Sequence, residues 1–465
     1  MRIGIFQTVQ ALWQIDVKER TKFFYLGAAF FSIIASYTIT KELKDSLFMD
    51  IVGGQTFVPY AKLLTIFGLI PLVLLYGKLV DKVRRYQLLC YLSLIYSIIG
   101  LCAAFVISQG GLGNGTEIAP YSLYWFFGWI YFFYIESFSP FVVSVFWAFL
   151  NSITTPENAK KNYGLLISLS KLGGMTTAGL AWFLLAYNDH PYGLGLSETK
   201  IHGLLMIISS LFLLTVPLIV WRMMRVVPGQ YLHGYEAAYQ FEKQQHKDGK
   251  DETGIWSGLS LLLRYPYVFG IFLTIFFYEA VSAVLSYLRL GIAQTVASDV
   301  SGVSCFLFQS VFYVHFIGFI ISIFGTRMLL GYLGERFSLL VMPVVLGSLL
   351  VYLFYADSAM GAIIAFVALR SIYYAFNQPV TEALYIPTVK DVKFKSKSWI
   401  DTFGKKLARG TGSTFNILVS ASTASLYGIF FGIILSAWTL VAYLLGRRYS
   451  QAIQNGEVIG AKDQK

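Results

Sequence analysis

Charge is scarce in this chain, and so is cysteine. Only 13% of its 465 residues are charged, about half the roughly 25% of a soluble globular domain. The three cysteines, Cys90, Cys102 and Cys305, all sit in or beside apolar runs. That pattern excludes a disulfide framework and a cysteine-based metal set. The five histidines are scattered, and no Walker lysine motif, HExxH or GxSxG occurs. ATP-driven transport and the common hydrolytic chemistries therefore have no support, and no cofactor or metal is expected. Residues 1–22 are mixed polar, with no small-residue cleavage site and no Arg/Ser-rich stretch before them, so neither a secretory signal nor a transit peptide is expected. Period-two alternation is absent and most apolar runs exceed the roughly ten residues of a barrel strand, which excludes a β-barrel.

What the chain does have is apolar length. Hydrophobic residues make up 56% of it, and the mean hydropathy is +0.62. A run of about 20 apolar residues crosses the hydrocarbon core as a helix, because backbone in lipid must satisfy its own hydrogen bonds. The runs predict an all-α polytopic membrane protein with twelve spans: 23–48, 59–79, 87–107, 121–150, 163–187, 203–222, 265–290, 307–330, 338–356, 360–386, 410–422 and 426–446. The eleventh is the weakest and could begin near Lys405.

Basic residues fall on one side of this threading. The N-terminus holds Arg2, Lys18, Arg20 and Lys22, and the second loop Lys82, Arg84 and Arg85. Lys160 and Lys161 are in the fourth loop, and Lys390 through Lys406 in the tenth. The opposite loops (108–120, 188–202, 291–306, 357–359, 423–425) contain only Lys200. The positive-inside rule then places both termini in the cytoplasm. The net charge of +11 is mostly this asymmetry, so it does not argue for a nucleic-acid partner.

The long polar stretch 223–264 reads as a partly helical cytoplasmic linker between two six-helix halves, 1–222 and 265–465. A repeated motif supports that division. Gly77, Leu79, Asp81, Lys82 and Arg84 after the second span are echoed by Gly331, Leu333, Glu335 and Arg336 after the eighth, 254 residues later. The pattern resembles the loop signature of the major facilitator superfamily, where acid–base pairs latch the cytoplasmic side. The resemblance implies a substrate site near the midplane, between the halves. An ordinary basic turn is the plainer account of either copy alone.

Ionisable groups inside spans are costly and default to functional roles. Lys41, Glu42, Lys44 and Asp45 lie in the first span, Glu136 in the fourth, Lys171 in the fifth and Glu279 in the seventh. Arg370 is in the tenth, and Arg409 is at the mouth of the eleventh. In the facilitator layout helices 1, 4, 7 and 10 line the cavity, which would then carry fixed cations with carboxylates beside them. Cations suit an anionic substrate such as a phosphate. Arg289, Arg327 and Glu382 lie near span ends and can snorkel to the interface. His315 reads as a hydrogen-bonded structural residue. Tyr131, Phe132, Phe133 and Tyr134 before Glu136, and Tyr373, Tyr374 and Phe376 after Arg370, could face a nucleobase or simply pack. Gly173-Gly174 and Gly410-Thr-Gly412 read as close helix packing, or as backbone approach to phosphate.

Three blocks carry a more specific resemblance: Tyr37 to Leu47 with Gly54 and Pro59 to Lys62; Phe146-Trp147 to Tyr163; and Glu382 to Pro387 continuing to Gly412-Ser413. Together they resemble the bacterial and plastid ATP/ADP translocase (nucleotide transporter) family. That resemblance implies a facilitator-like nucleotide exchanger or proton symporter, a monomer, with transport-critical charges at Lys44, Glu136, Glu279 and Arg409. A bacterial inner membrane is expected over a plastid envelope. The chain departs from the family at several points. Lys41 stands where an arginine is usual, Arg409 where a lysine is usual, and Lys171 where a polar uncharged residue is expected. The spacing from Glu136 to Phe146-Trp147 is one residue off. The other readings are a carrier of a different organic anion or lipid headgroup, and a polytopic membrane enzyme, for which no clustered acid/base set is present.

Overall fold

A computed structural model describes residues 17–80, 83–110, 119–154, 156–232, 255–297, 299–321, 326–356, 359–389, 392, 396–419 and 424–460. Helices follow one another along the chain in the expected order: α1 Val17–Val52, α2 Val58–Val80, α3 Arg85–Gln109, α4 Leu123–Ser152, α5 Pro156–Ala186, α6 Glu198–Val226, α7 Pro266–Val296, α8 Val300–Ile320, α9 Thr326–Ala356, α10 Ala359–Ile372 with its continuation Gln378–Ala383, α11 Lys405–Leu418 and α12 Ala424–Gln454. Among the described residues the one extended pairing is a single bridge between Thr388 and Ile459. The fold is thus an all-helical membrane bundle.

Among the described residues seven helices, α1, α3, α4, α6, α7, α8 and α12, are long and apolar enough to cross a bilayer. Interruptions shorten some of the others. Gly334 adopts φ 63° and ψ 168° inside α9, a conformation that favours glycine. The second copy of the loop motif therefore sits at a helix break, while residues 81 and 82 of the first copy lie outside the described residues. α8 covers Val300–Ile320 and Ile321 continues in a π turn, residues 322–325 lie outside the described residues, and residues 326–333 are helical up to Gly334. The C-terminal part of the linker is helical, at Ile255–Arg264.

The chain forms two compact units, 1–250 with 293–319, and 251–292 with 320–465. In the first, α1 packs against α4, α5 and α6, and α3 against α6. At 36 residues, or about 54 Å at 1.5 Å per residue, α1 outruns the roughly 30 Å hydrocarbon core. Its approach to α5 is set by Gly173, where a Cβ would lie 2.6 Å from the Phe31 carbonyl oxygen. The eighth helix belongs to this unit: His202 Nε2 is 2.8 Å from Ser304 Oγ, which donates to Ser46 Oγ at 2.7 Å. In the second unit α9 packs on α10 and α12, around a core that includes Tyr278, Leu285, Phe376 and Trp438. Here Gly412 of α11 sits on α7, and its Cβ would lie 2.6 Å from the Ala280 carbonyl oxygen. Both glycine motifs thus serve close helix packing.

Candidate functional site: two ion pairs within the helices

α1 continues unbroken through Lys41–Asp45, which buries an ammonium group deep in the first unit. Lys44 is 2% exposed, and its Nζ lies 2.5 Å from Glu136 Oε1 and 3.1 Å from Asp45 Oδ1. The same nitrogen sits 4.2 Å from the centroid of the Phe132 ring. Phe132 and Glu136 are four residues apart, so α4 presents both from one face. Desolvating an ammonium costs several kcal/mol. Two carboxylates and an aromatic face offset that cost here.

The second unit builds its pair from α7 and α11. Arg409 donates Nε to Glu279 Oε2 at 2.7 Å and Nη2 to Oε1 at 3.2 Å. This is the bidentate fork that makes guanidinium–carboxylate pairs directional. Glu279 is the buried member, with its side chain 6% exposed against 50% for Arg409. One turn away, Lys405 Nζ holds Asp401 Oδ1 at 2.7 Å. On α10, Arg370 donates Nη2 to Ser286 Oγ of α7 at 3.2 Å.

Of the seven charged residues expected to bind substrate, four therefore meet two by two: Lys44 with Glu136, and Glu279 with Arg409. Lys41 is peripheral, half-buried and 3.9 Å from Glu42 Oε1. Lys171 is buried on α5. Arg289 departs from the expected snorkelling. It is 3% exposed and its guanidinium lies 4.2 Å from the centroid of Phe366. The reason is helix length: α7 runs on to Val296, so Arg289 is not at its end. Glu382 does sit at a partly exposed helix end, paired with Lys397. His315 lies against Gly174, where a Cβ would meet its ring at 2.5 Å.

In the repeated loop motif, Asp81 and the side chain of Glu335 lie outside the described residues, as does Lys82. Arg84 is exposed and precedes α3, while its neighbour Arg85 donates to the Ala148 carbonyl oxygen at 3.3 Å. Arg336 packs its guanidinium 5.6 Å from the ring of Tyr443 on α12.

The aromatic runs are mostly packing. Tyr131, Phe132 and Tyr134 are buried, and Tyr134 Oη donates to the Tyr96 carbonyl oxygen at 2.6 Å. Tyr373 stacks on Tyr278 with centroids 3.2 Å apart. Tyr374 is 36% exposed and is the member of its run best placed for a ligand.

Beside two of the charged residues the helix widens. A π turn occupies Ser139–Val143, three residues after Glu136, and another occupies Tyr373–Asn377, three residues after Arg370. Such turns are rare and recur at functional sites. Pro140 has no N–H to give the Glu136 carbonyl four residues back, which is a local cause of the first. Among the described residues no three His, Cys, Asp or Glu side chains gather as a metal site.

An all-helical membrane protein with a facilitator-like fold is the class this architecture defines. A D-xylose–proton symporter superposes with a TM-score of 0.61 at 15% identity, over 91% of this chain and 96% of that one. A major facilitator superfamily proton:xylose symporter superposes at 0.59 and 14% identity, over 92% of this chain and 94% of that one. These likenesses concern the fold. The sequence profile described as "TLC ATP/ADP transporter" matches residues 4–110 and 112–449, and the chain belongs to that family. Among curated relatives, ADP,ATP carrier protein 4 of Rickettsia typhi is 28% identical over 183 residues, 35% of this chain and 35% of the relative. The match thus spans about a third of that relative's length.

Proposed function

We propose that this protein is a secondary carrier that moves nucleotides across a membrane by alternating access of two six-helix halves, 1–222 and 265–465, joined by the linker 223–264. Lys41, Lys44, Arg370 and Arg409 engage the phosphates. Glu136 and Glu279 hold the two key cations in the empty site, and release them to the substrate or take up a coupling proton. Lys171 adds a further cation. Asp81, Arg84, Glu335 and Arg336 latch the cytoplasmic side. The protein acts as a monomer in a bacterial inner membrane, with both termini cytoplasmic.

One observation carries this reading furthest. The four positions singled out by the family resemblance, Lys44, Glu136, Glu279 and Arg409, form two cation–carboxylate pairs, one in each unit. An anion that arrives at such a pair competes with the carboxylate for the cation, and so couples binding to a change in helix contacts. Family membership and the ADP,ATP carriers among the relatives favour nucleotides as that anion.

Uptake of radiolabelled ATP into cells expressing the protein, competed by nucleotides, NAD and phosphorylated metabolites, tests the reading. Inhibition by ADP, with ADP driving efflux of preloaded label, is the expected result. If no nucleotide is taken up or competes, the substrate is another anion.

A further inference from the structure

In chain order α8 belongs to the 265–465 half, yet residues 293–319 pack with the first unit. Polar contacts hold them there at the end of α1 away from its N-terminus. Ser304 of α8 stands between two partners: its Oγ is 2.7 Å from Ser46 Oγ of α1 and 2.8 Å from His202 Nε2 of α6. The imidazole is fixed by its own helix, since Nδ1 donates to the Glu198 carbonyl oxygen at 2.7 Å. Just past α1, the Gln55 N–H donates to Gln294 Oε1 at 3.3 Å, which ties the α1–α2 connection to the end of α7. Further along α8 Phe312 meets a ring instead, 5.8 Å from Trp182 of α5 between centroids.

α1 and α6 meet differently. Ser36 Oγ is 2.9 Å from Ser209 Oγ, Ser209 Oγ donates to the Ser36 carbonyl oxygen at 3.0 Å, and Thr215 Oγ1 donates to Ser32 Oγ at 3.0 Å. Hydroxyl pairs thus run along the α1–α6 seam, and both helices belong to the same half. The hydroxyl contact of α8 with α1 sits at one end. Neutral hydroxyl and imidazole groups exchange a protein partner for water at little net cost, whereas parting a buried ion pair is expensive. A contact that opens and closes repeatedly is therefore well made from such groups. Phe312 lies eight residues beyond Ser304, about 12 Å along the helix, so its ring contact can serve as a pivot while the Ser304 end swings.

We propose that Ser304, His202 and Ser46 form a neutral latch that closes the carrier on the side opposite its termini. α8 swings away from α1 and α6 there when the carrier opens to that side, while the α1–α6 seam stays shut. His202 and Ser304 are then positioning residues that never touch the substrate. The proposal rests on the alternating-access reading, and its test separates the two.

The test uses the full-length protein in cells, with Cys90, Cys102 and Cys305 replaced by alanine so that introduced thiols act alone. Ser304 and Ser209 are both 0% exposed. A membrane-impermeant thiol reagent should nonetheless label Ser304→Cys from outside about tenfold faster than Ser209→Cys, because opening of the latch admits it. His202→Leu added to Ser304→Cys should speed labelling about fivefold, the scale of one lost hydrogen bond. Two double variants then lock one contact each: Ser46→Cys with Ser304→Cys, and Ser36→Cys with Ser209→Cys. Hydroxyls 2.7 Å and 2.9 Å apart put both thiol pairs within reach of a disulfide on adding an oxidant. Oxidising the first pair should cut uptake of labelled ATP about tenfold or more, reversibly with a reductant, because a carrier held in one state cannot complete its cycle. Oxidising the second should leave uptake within about twofold, as for helices that move together. Equally slow labelling at both positions, no effect of His202→Leu, or equal uptake with the two crosslinks overturns the latch. If a double variant does not fold, the labelling rates carry the test. Fast labelling of Ser304→Cys without ATP uptake would keep the latch and remove the nucleotide reading. ATP uptake with slow labelling of Ser304→Cys would do the reverse.

Discussion

The two ion pairs invert each other. In the first unit the cation is the hidden partner: Lys44 is 2% exposed and Glu136 27%. In the second the carboxylate is hidden: Glu279 is 6% exposed and Arg409 50%. An anion approaching the second pair meets a cation directly. An anion approaching the first meets a carboxylate, and reaches the ammonium only after Glu136 has moved or been neutralised. One fold can therefore present the same two charge types with either partner outermost.

The strongest way to break the comparison is to remove the hidden cation. Lys44→Ala should abolish ATP uptake while expression and membrane insertion persist, because it removes the buried ammonium that lies between Asp45 and Glu136. Uptake at the wild-type rate per folded protein would refute the guarded role.

The next effect is on stability. Arg409→Gln removes the guanidinium that hydrogen-bonds the buried Glu279 carboxylate and leaves it the weaker, longer-range charges of Lys405 and Arg370; breaking a buried pair from one side costs up to about 3–5 kcal/mol. Glu279→Gln leaves an exposed guanidinium and should cost far less. The double change should be more stable than Arg409→Gln alone. Thermal unfolding of the three variants in detergent gives the order, and equal losses for the two single changes would mean the burial asymmetry has no energetic meaning.

Smaller still are the packing contacts that hold each pair in register. Gly173→Val and Gly412→Val each push a side chain into a facing carbonyl and should destabilise by about 1–3 kcal/mol. Gly432→Ala meets nothing within 4 Å, so its melting temperature should stay level or rise slightly, by the helix propensity of alanine. The smallest effect is expected at Lys41, whose carboxylate neighbour is 3.9 Å away. Partly exposed pairs of this kind contribute about 0–1 kcal/mol. Lys41→Gln should leave the melting temperature unchanged and alter uptake less than Lys44→Ala does.

Much of the fold could be read in the sequence because a bilayer leaves little choice. Apolar runs of spanning length must be helices, and their order follows. The break at Gly334 falls between the spans 307–330 and 338–356 that the sequence implies, but the π turns at Ser139–Val143 and Tyr373–Asn377 could not be read, since each lies within a single apolar run. The charged residues could be identified because lipid makes them expensive. Their pairing could not, since the partners are 92 and 130 residues apart in the chain and meet only through helix packing. Arg289 was misjudged because the apolar run suggests a helix end near 290, whereas helical backbone continues to Val296. The aromatic runs gave no periodic sign of which rings face inward, and most of them pack.

The π turn at Ser139–Val143 bears on descent as well as on geometry. A π turn holds about one residue more than the α turn it replaces, so a single added residue can be taken up there without rotating the helix on either side. The one-residue offset between Glu136 and Phe146-Trp147 that the family resemblance implies spans that turn, which lets the helix faces before and after it stay in register.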